Sequence, residues 1–217
     1  MDPKIKICGV TVEEDALRAA ELGADYIGLN FYPWSPRCVS REAARRITKR
    51  LPASAAPVGV FVKPGPGEVA ACSEEAELKA VQIHGDPPLR ELEALRKRFP
   101  KGGTVALICA VRLGGPGDLE GLEPLTALCD FLLLDAREEN LWGGTGRTFP
   151  WELALELKRR HSKPFFLAGG LTPENVAQAA KTVRPYAVDA ASGVESAPGR
   201  KDHAKLKDFI SRLRAAA

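Results

Sequence analysis

Eight short apolar runs recur along this 217-residue chain, and each gives way to a helix-patterned stretch before the next begins. The first, Lys4-Ile5-Lys6-Ile7-Cys8, alternates with period two, as a strand does. The others cover residues 25–30, 57–62, 80–83, 104–108, 131–134, 165–168 and 186–188. Strict alternation of strand and helix builds a parallel sheet with right-handed crossovers. Eight such units in a chain this long predict an α/β fold of the closed (β/α)8 type, the TIM barrel, as a single domain over residues 1–217. The alternative is an open doubly wound sheet, but no GxGxxG follows the first strand to support it.

Local signals punctuate the units. Thr11-Val12-Glu13-Glu14 has the form of a capping box, and its helix reaches about Leu22 before Gly23 closes it. Ser40 caps a second helix that ends near Leu51. Helices are expected over about 66–77 and 88–99, with a short one before Cys129. A Gly- and Pro-rich segment over 112–121 follows strand five. A loop over 136–146 carries Gly143-Gly144-Thr145-Gly146, and Pro150-Trp151 opens a helix to about Arg160.

The last two units, residues 164–202, repeat one plan. Phe165-Phe166-Leu167-Ala168 stops at Gly169-Gly170, and Thr172-Pro173-Glu174 opens a helix. Tyr186-Ala187-Val188 ends at Asp189, Ser192-Gly193 makes the turn, and residues 195–199 lead to a helix from about Asp202. Glycine lets backbone N–H groups approach a ligand closely, and helix N-termini add positive partial charge. Two adjacent turns of this kind form a phosphate cradle, in the place where barrels often hold phosphate.

The totals exclude several classes. A formal charge of +3 with dispersed basic residues argues against a nucleic-acid partner. No apolar run approaches the ~18 residues of a membrane span, and the N-terminus does not read as a signal peptide. The cysteines at 8, 38, 72, 109 and 129 are odd in number and contain no CxxC pair, so neither a disulfide framework nor a zinc site is expected. That pattern fits a reducing, cytoplasmic setting.

Active sites of such barrels lie at the C-terminal ends of the strands. The polar residues there are Cys8, Asn30, Arg37, His84, Asp135, Asp189 and Ser192. By parity, Ile5 and Ile7 face the helices, while Lys4, Lys6 and Cys8 face the barrel interior. Asp135 closes an apolar strand, where a mid-strand carboxylate is costly, so it belongs at the rim. Strands one and six lie nearly opposite each other in an eight-strand ring. Cys8 and Asp135 therefore approach a substrate from two sides, as a proton acceptor and donor must. Each residue also has a plainer reading. Cys8 as a small buried residue, Asp135 as a turn cap, His84 as a structural histidine and Arg37 as the partner of a surface carboxylate all stay open. Asp189 is expected to tie down the last turn.

At these residues the chain resembles the phosphoribosylanthranilate isomerase family. The resemblance covers nearly the whole length. It is carried by Lys6-Ile7-Cys8-Gly9, Ser35-Pro36-Arg37, Val58-Gly59-Val60-Phe61, Gln82-Ile83-His84-Gly85, Leu134-Asp135, Gly143-Gly144-Thr145-Gly146, Leu167-Ala168-Gly169-Gly170-Leu171, and Ser192-Gly193-Val194-Glu195 with Pro198-Gly199-Arg200-Lys201-Asp202. The family usually has Ser where this chain has Ala191.

The resemblance implies an Amadori rearrangement of a phosphorylated aminoaldose to an aminoketose in tryptophan biosynthesis. It implies Asp135 as general acid and Cys8 as general base; Lys6, on the same strand face as Cys8, is a candidate for lowering the thiol pKa. It further implies Arg37 on the anthranilate carboxylate, His84 at the substrate, and phosphate held by Gly169, Gly170, Ser192 and Gly193. No cofactor or metal is expected, and a homodimer is compatible with the family. The histidine-pathway aminoaldose isomerase is the nearest rival, but resemblance there would put Asp at residue 8. A sugar-phosphate-binding barrel without turnover is the other rival, and it would lack the acid and the base.

Overall fold

The structure, a computed structural model, describes residues 2–136 and 151–216. The Gly143-Gly144-Thr145-Gly146 motif and Pro150 lie outside them. The strands are β1 Lys4–Cys8, β2 Tyr26–Asn30, β3 Ala56–Val62, β4 Ala80–His84, β5 Ala106–Leu113, β6 Phe131–Ala136, β7 Phe165–Leu167 and β8 Ala187–Ala190. They close into one parallel barrel in chain order, with β8 pairing onto β1. Between and after them run α1 Glu13–Glu21, α2 Arg41–Arg50, α3 Pro66–Glu75, α4 Leu89–Arg98, α5 Glu123–Leu128, α6 Trp151–Arg160, α7 Val176–Val183 and α8 His203–Ala216.

Alternation along each strand sorts side chains into two apolar layers. Ile5, Ile7, Leu132, Leu134, Val188 and Ala190 join the layer packed against the helices. Val58, Ala80, Ile108, Leu133, Phe166 and Ala187 fill the barrel lumen. Tyr26, Phe131 and Tyr186 pack on the lumen side, and the Tyr26 and Tyr186 hydroxyls are 2.8 Å apart. The parity read from β1 is therefore correct. It carries to the other strands: Cys8 follows Lys6, Asp135 follows Leu133 and Asp189 follows Ala187 on the inward face.

Ser40 caps α2 as expected, its Oγ accepting the Ala43 N–H at 3.1 Å. Other local signals give way to different partners. The capping box at Thr11 does not form: Val12 is the N-cap, with no side-chain cap bond, and the Thr11 hydroxyl instead donates to the Gly199 carbonyl at 2.6 Å. Helix α7 starts at Val176 rather than at residue 172. Asn175 takes over that segment, accepting the Thr172 N–H and donating to the Gly170 carbonyl, both at 2.9 Å. The residue 195–199 stretch is no simple lead-in. It forms an antiparallel hairpin, β9 Glu195–Ala197 with β10 Arg200–Lys201.

Strand β5 also runs further than the sequence suggested, from Ala106 to Leu113. The apolar positions Cys109, Ala110 and Val111 are buried and extend the ladder. Arg112 thereby leaves the Gly/Pro segment and becomes the Cα partner of Asp135 across β5 and β6.

Candidate active site

A cavity of about 250 Å³ opens at the C-terminal ends of the strands. Cys8, Arg37, His84, Asp135, Gly169, Gly170, Ser192 and Gly193 all line it, so the residues singled out from the sequence meet in one place. Asn30, Gln82 and Asp189 line it too.

Cys8 ends β1 and is half-buried. Beneath it, Lys6 is fully buried and pairs with Asp189 at 2.9 Å. The two are direct Cα partners across β1 and β8. Asp189 thus does more than tie down a turn: it neutralises the ammonium buried in the barrel. Losing either partner of such a pair costs about 3–5 kcal/mol, because the other charge is left stranded. Burial lowers the Lys6 pKa, but Asp189 and Cys8 outweigh it and the net shift is upward.

The thiol does not behave as Lys6 alone would have it. Burial pushes the Cys8 pKa above its ordinary value, and the charge of Lys6 only offsets part of this. Asp189 works in the same direction as burial, and Lys201 works against it. The expected lowering by Lys6 is present, but desolvation wins.

Asp135, next to last in β6, lies on the inward face. Burial first, then the nearby Asp189 carboxylate, raise its pKa to about 6. The Ala136 N–H donates to its Oδ1 at 2.9 Å and pulls modestly the other way. A carboxyl poised near 6 is suited to giving up a proton near neutral pH.

His84 ends β4 and is buried. Burial, Lys6 and Arg112 hold its pKa down at about 3, so the ring is neutral at working pH. Its Nε2 lies 2.5 Å from Gln82 Nε2. Gln82 Oε1 has no hydrogen-bond partner among the described residues. This wall offers neutral hydrogen-bonding groups, not a titrating acid or base.

Arg37 reaches the rim from the loop after β2, but its partner is not a surface carboxylate. Glu195, 4% exposed at its side chain, accepts from Arg37 Nε at 2.9 Å and Nη2 at 2.6 Å. Gly9 makes room for that arginine, since a Cβ there would sit 2.5 Å from Arg37 Cδ.

The two glycine turns touch. A Cβ on Gly193 would lie 2.0 Å from the Leu171 carbonyl oxygen, so only glycine lets the turn after β8 pack on the turn after β7. Gly169 and Gly170 both have positive φ, 80° and 71°, which a side chain would strain.

Comparison with known proteins agrees with this geometry. The family model of N-(5'-phosphoribosyl)anthranilate (PRA) isomerase matches residues 5–212. The chain belongs to that family. The N-(5'-phosphoribosyl)anthranilate isomerase of Trichlorobacter lovleyi is 44% identical over 215 residues, covering 98% of each chain. A solved phosphoribosyl anthranilate isomerase in complex with reduced 1-(o-carboxyphenylamino)-1-deoxyribulose 5-phosphate superposes with a TM-score of 0.85. It is 38% identical and covers 98% of this chain and 99% of its own. Monomers generated from the dimeric enzyme of Thermotoga maritima give a TM-score of 0.83 at 39% identity, with 98% and 99% coverage.

In this phosphoribosylanthranilate isomerase family member, Ala191 lines the cavity with only a methyl group. Sequence reasoning missed Glu195, Lys201 and the Lys6–Asp189 pair as parts of the site. Parity could have found the last, since it places Lys6 inside a barrel where an ammonium needs a counter-charge.

Proposed function

We propose that this chain isomerises N-(5-phosphoribosyl)anthranilate in tryptophan biosynthesis, with Asp135 as general acid and Cys8 as general base. One observation carries the assignment. Passing from β6 through β7 and β8 to β1, the rim presents Asp135, Gly169-Gly170, Ser192-Gly193 and Cys8 in that order. The turns suited to a phosphate thus stand on the arc between a proton donor and a proton acceptor.

The chemistry follows from the groups. Asp135 gives its proton to the furanose ring oxygen as the C1–O bond breaks, and the nitrogen lone pair forms the Schiff base. Cys8, as thiolate, takes the proton from ribose C2, and that electron pair flows into the iminium to give an enolamine. Protonation at C1 and loss of the enol proton yield the ketone, 1-(2-carboxyphenylamino)-1-deoxyribulose 5-phosphate. Electrons only shift within the substrate, so the reaction calls for no external oxidant or reductant.

The pKa directions add a constraint. At neutral pH the resting pair is mainly thiol and carboxylate, while the working pair is thiolate and carboxylic acid. Both carry the same number of protons. The site needs one proton redistributed, not gained, and an anionic substrate beside Asp135 favours that redistribution.

Arg37 is assigned to the anthranilate carboxylate by a charge-assisted contact, and His84 to neutral hydrogen bonding at the substrate. Gly169, Gly170, Ser192 and Gly193 are assigned to the phosphate through backbone N–H groups and one hydroxyl. We place the enzyme, a single barrel domain, in the reducing cytoplasm, which suits its five free cysteines. None of the described helices is long and apolar enough to cross a membrane. Sedimentation tests for a homodimer like that of the Thermotoga maritima relative.

The activity test is direct. Purified protein added to phosphoribosylanthranilate should abolish the substrate's fluorescence, and the gene should complement a tryptophan auxotroph lacking this step. No fluorescence loss and no complementation would overturn the assignment.

A further inference from the structure

Beyond β8 the chain forms the β9–β10 hairpin, and this hairpin grips the active site by two buried charges. Glu195 and Lys201 are 7% and 5% exposed. Lys201 Nζ donates to Glu195 Oε1 at 2.8 Å, to the Cys8 carbonyl at 2.6 Å and to the Ala191 carbonyl at 3.2 Å. One ammonium therefore ties together the C-terminal ends of β1 and β8. Glu195 holds Lys201 on one side and Arg37 on the other. The hairpin is itself anchored, through the Thr11–Gly199 bond and through the Lys201 N–H on Asp15 Oδ2 at 2.8 Å.

We propose that Glu195 and Lys201 are positioning residues for the isomerisation, Glu195 aiming Arg37 at the anionic ring substituent and Lys201 fixing the strand end that carries Cys8. The proposal rests on the roles given above to Arg37 and Cys8. The charges support it. Arg37 and Lys201 bring two positive charges to one carboxylate, so the cluster holds a surplus positive charge beside the cavity. Lys6, by contrast, is neutralised by Asp189. The surplus suits an anionic ligand and also the thiolate. The charged groups acting on Cys8 are Lys6 on its own strand, Asp189 on β8, Lys201 on β10 and Arg37 from the loop after β2.

The two carboxylate oxygens divide the work unequally. Glu195 Oε1 serves Lys201, the Gly199 N–H and Arg37 Nε, while Oε2 serves Arg37, accepting from Nη2 at 2.6 Å and from Nε at 3.2 Å. In Glu195→Gln, an amide oxygen at the Oε1 position keeps Lys201 in place, and the amide NH₂ turns against Arg37. In Lys201→Met the Arg37–Glu195 pair survives, and the Cys8 and Ala191 carbonyls lose their donor.

Steady-state kinetics on phosphoribosylanthranilate decide it. Glu195→Gln should raise KM about tenfold and leave kcat within about threefold of the wild type. Lys201→Met should lower kcat about tenfold, leave KM within about threefold, and move the alkaline limb of the kcat–pH profile to higher pH. Should Lys201→Met not fold, Lys201→Gln, which keeps a neutral NH₂ donor, should show the same split in smaller measure. Unchanged kinetics, or equal losses in both parameters for both variants, would overturn the proposal. An inactive wild type would instead sink the isomerase reading. The pH dependence of Cys8 alkylation by iodoacetamide, followed by mass spectrometry, then decides the Lys201 role. A shift to higher pH in Lys201→Met supports it, and no shift overturns it.

Discussion

Gly28 lies directly across from Cys8 on the neighbouring strand, and a Cβ at residue 28 would come within 2.8 Å of the Cys8 sulfur. Glycine at this point is what leaves room for a thiol at the rim. Gly28→Ala must push the sulfur aside, and displacing a reacting group by about 1 Å can cost 10²-fold in rate. We expect kcat to fall by one to two orders of magnitude with KM nearly unchanged, and the melting temperature to drop modestly through overpacking. Kinetics alongside a thermal melt check both.

Asp135 links the acid to stability. Its carboxyl titrates near 6 in the folded protein against an ordinary value of 3.8. The folded state therefore binds this proton more tightly than the unfolded state. Its relative stability falls as pH rises from about 4 to about 6, and the full cost, about 3 kcal/mol, persists above that window. Asp135→Asn removes the cost and can keep the Ala136 N–H bond. The variant should melt several degrees above the wild type at pH 8, and the gap should vanish near pH 4. Equal melting differences at both pH values would contradict the burial of this charge.

The contact between Gly193 and the Leu171 carbonyl predicts a different phenotype. In Gly193→Ala the two turns must separate, since no side-chain motion relieves a clash of Cβ with backbone. We expect KM to rise by about tenfold or more, a larger effect than on kcat, as the phosphate loses its shaped cradle. Weaker inhibition by inorganic phosphate in the variant would locate the defect there.

Much of this site was legible because barrel geometry turns sequence order into position. Alternation in Lys4-Ile5-Lys6-Ile7-Cys8 set which side chains face inward, and an apolar strand ending in Asp135 marked the rim. What stayed hidden depends on partners far along the chain. Arg37 lies 158 residues from Glu195, and Lys201 lies 193 residues from Cys8. The hairpin that supplies both has no hydrophobic period to announce it. Thr11 shows the same physics in reverse: its local capping pattern is sound, but Val12 takes the N-cap position and the Thr11 hydroxyl is turned to the distant Gly199 carbonyl. The net direction of the Cys8 pKa was also out of reach, because it sets burial and Asp189 against the charges of Lys6 and Lys201.

The acid–base pair itself is tested most directly by the kcat of purified Cys8→Ala and Asp135→Asn on phosphoribosylanthranilate. Each should turn over roughly 10²–10⁴-fold more slowly than the wild type while remaining folded. A near-normal kcat in either variant would contradict its assignment and, with it, the claim that one proton passing between these two walls drives the rearrangement.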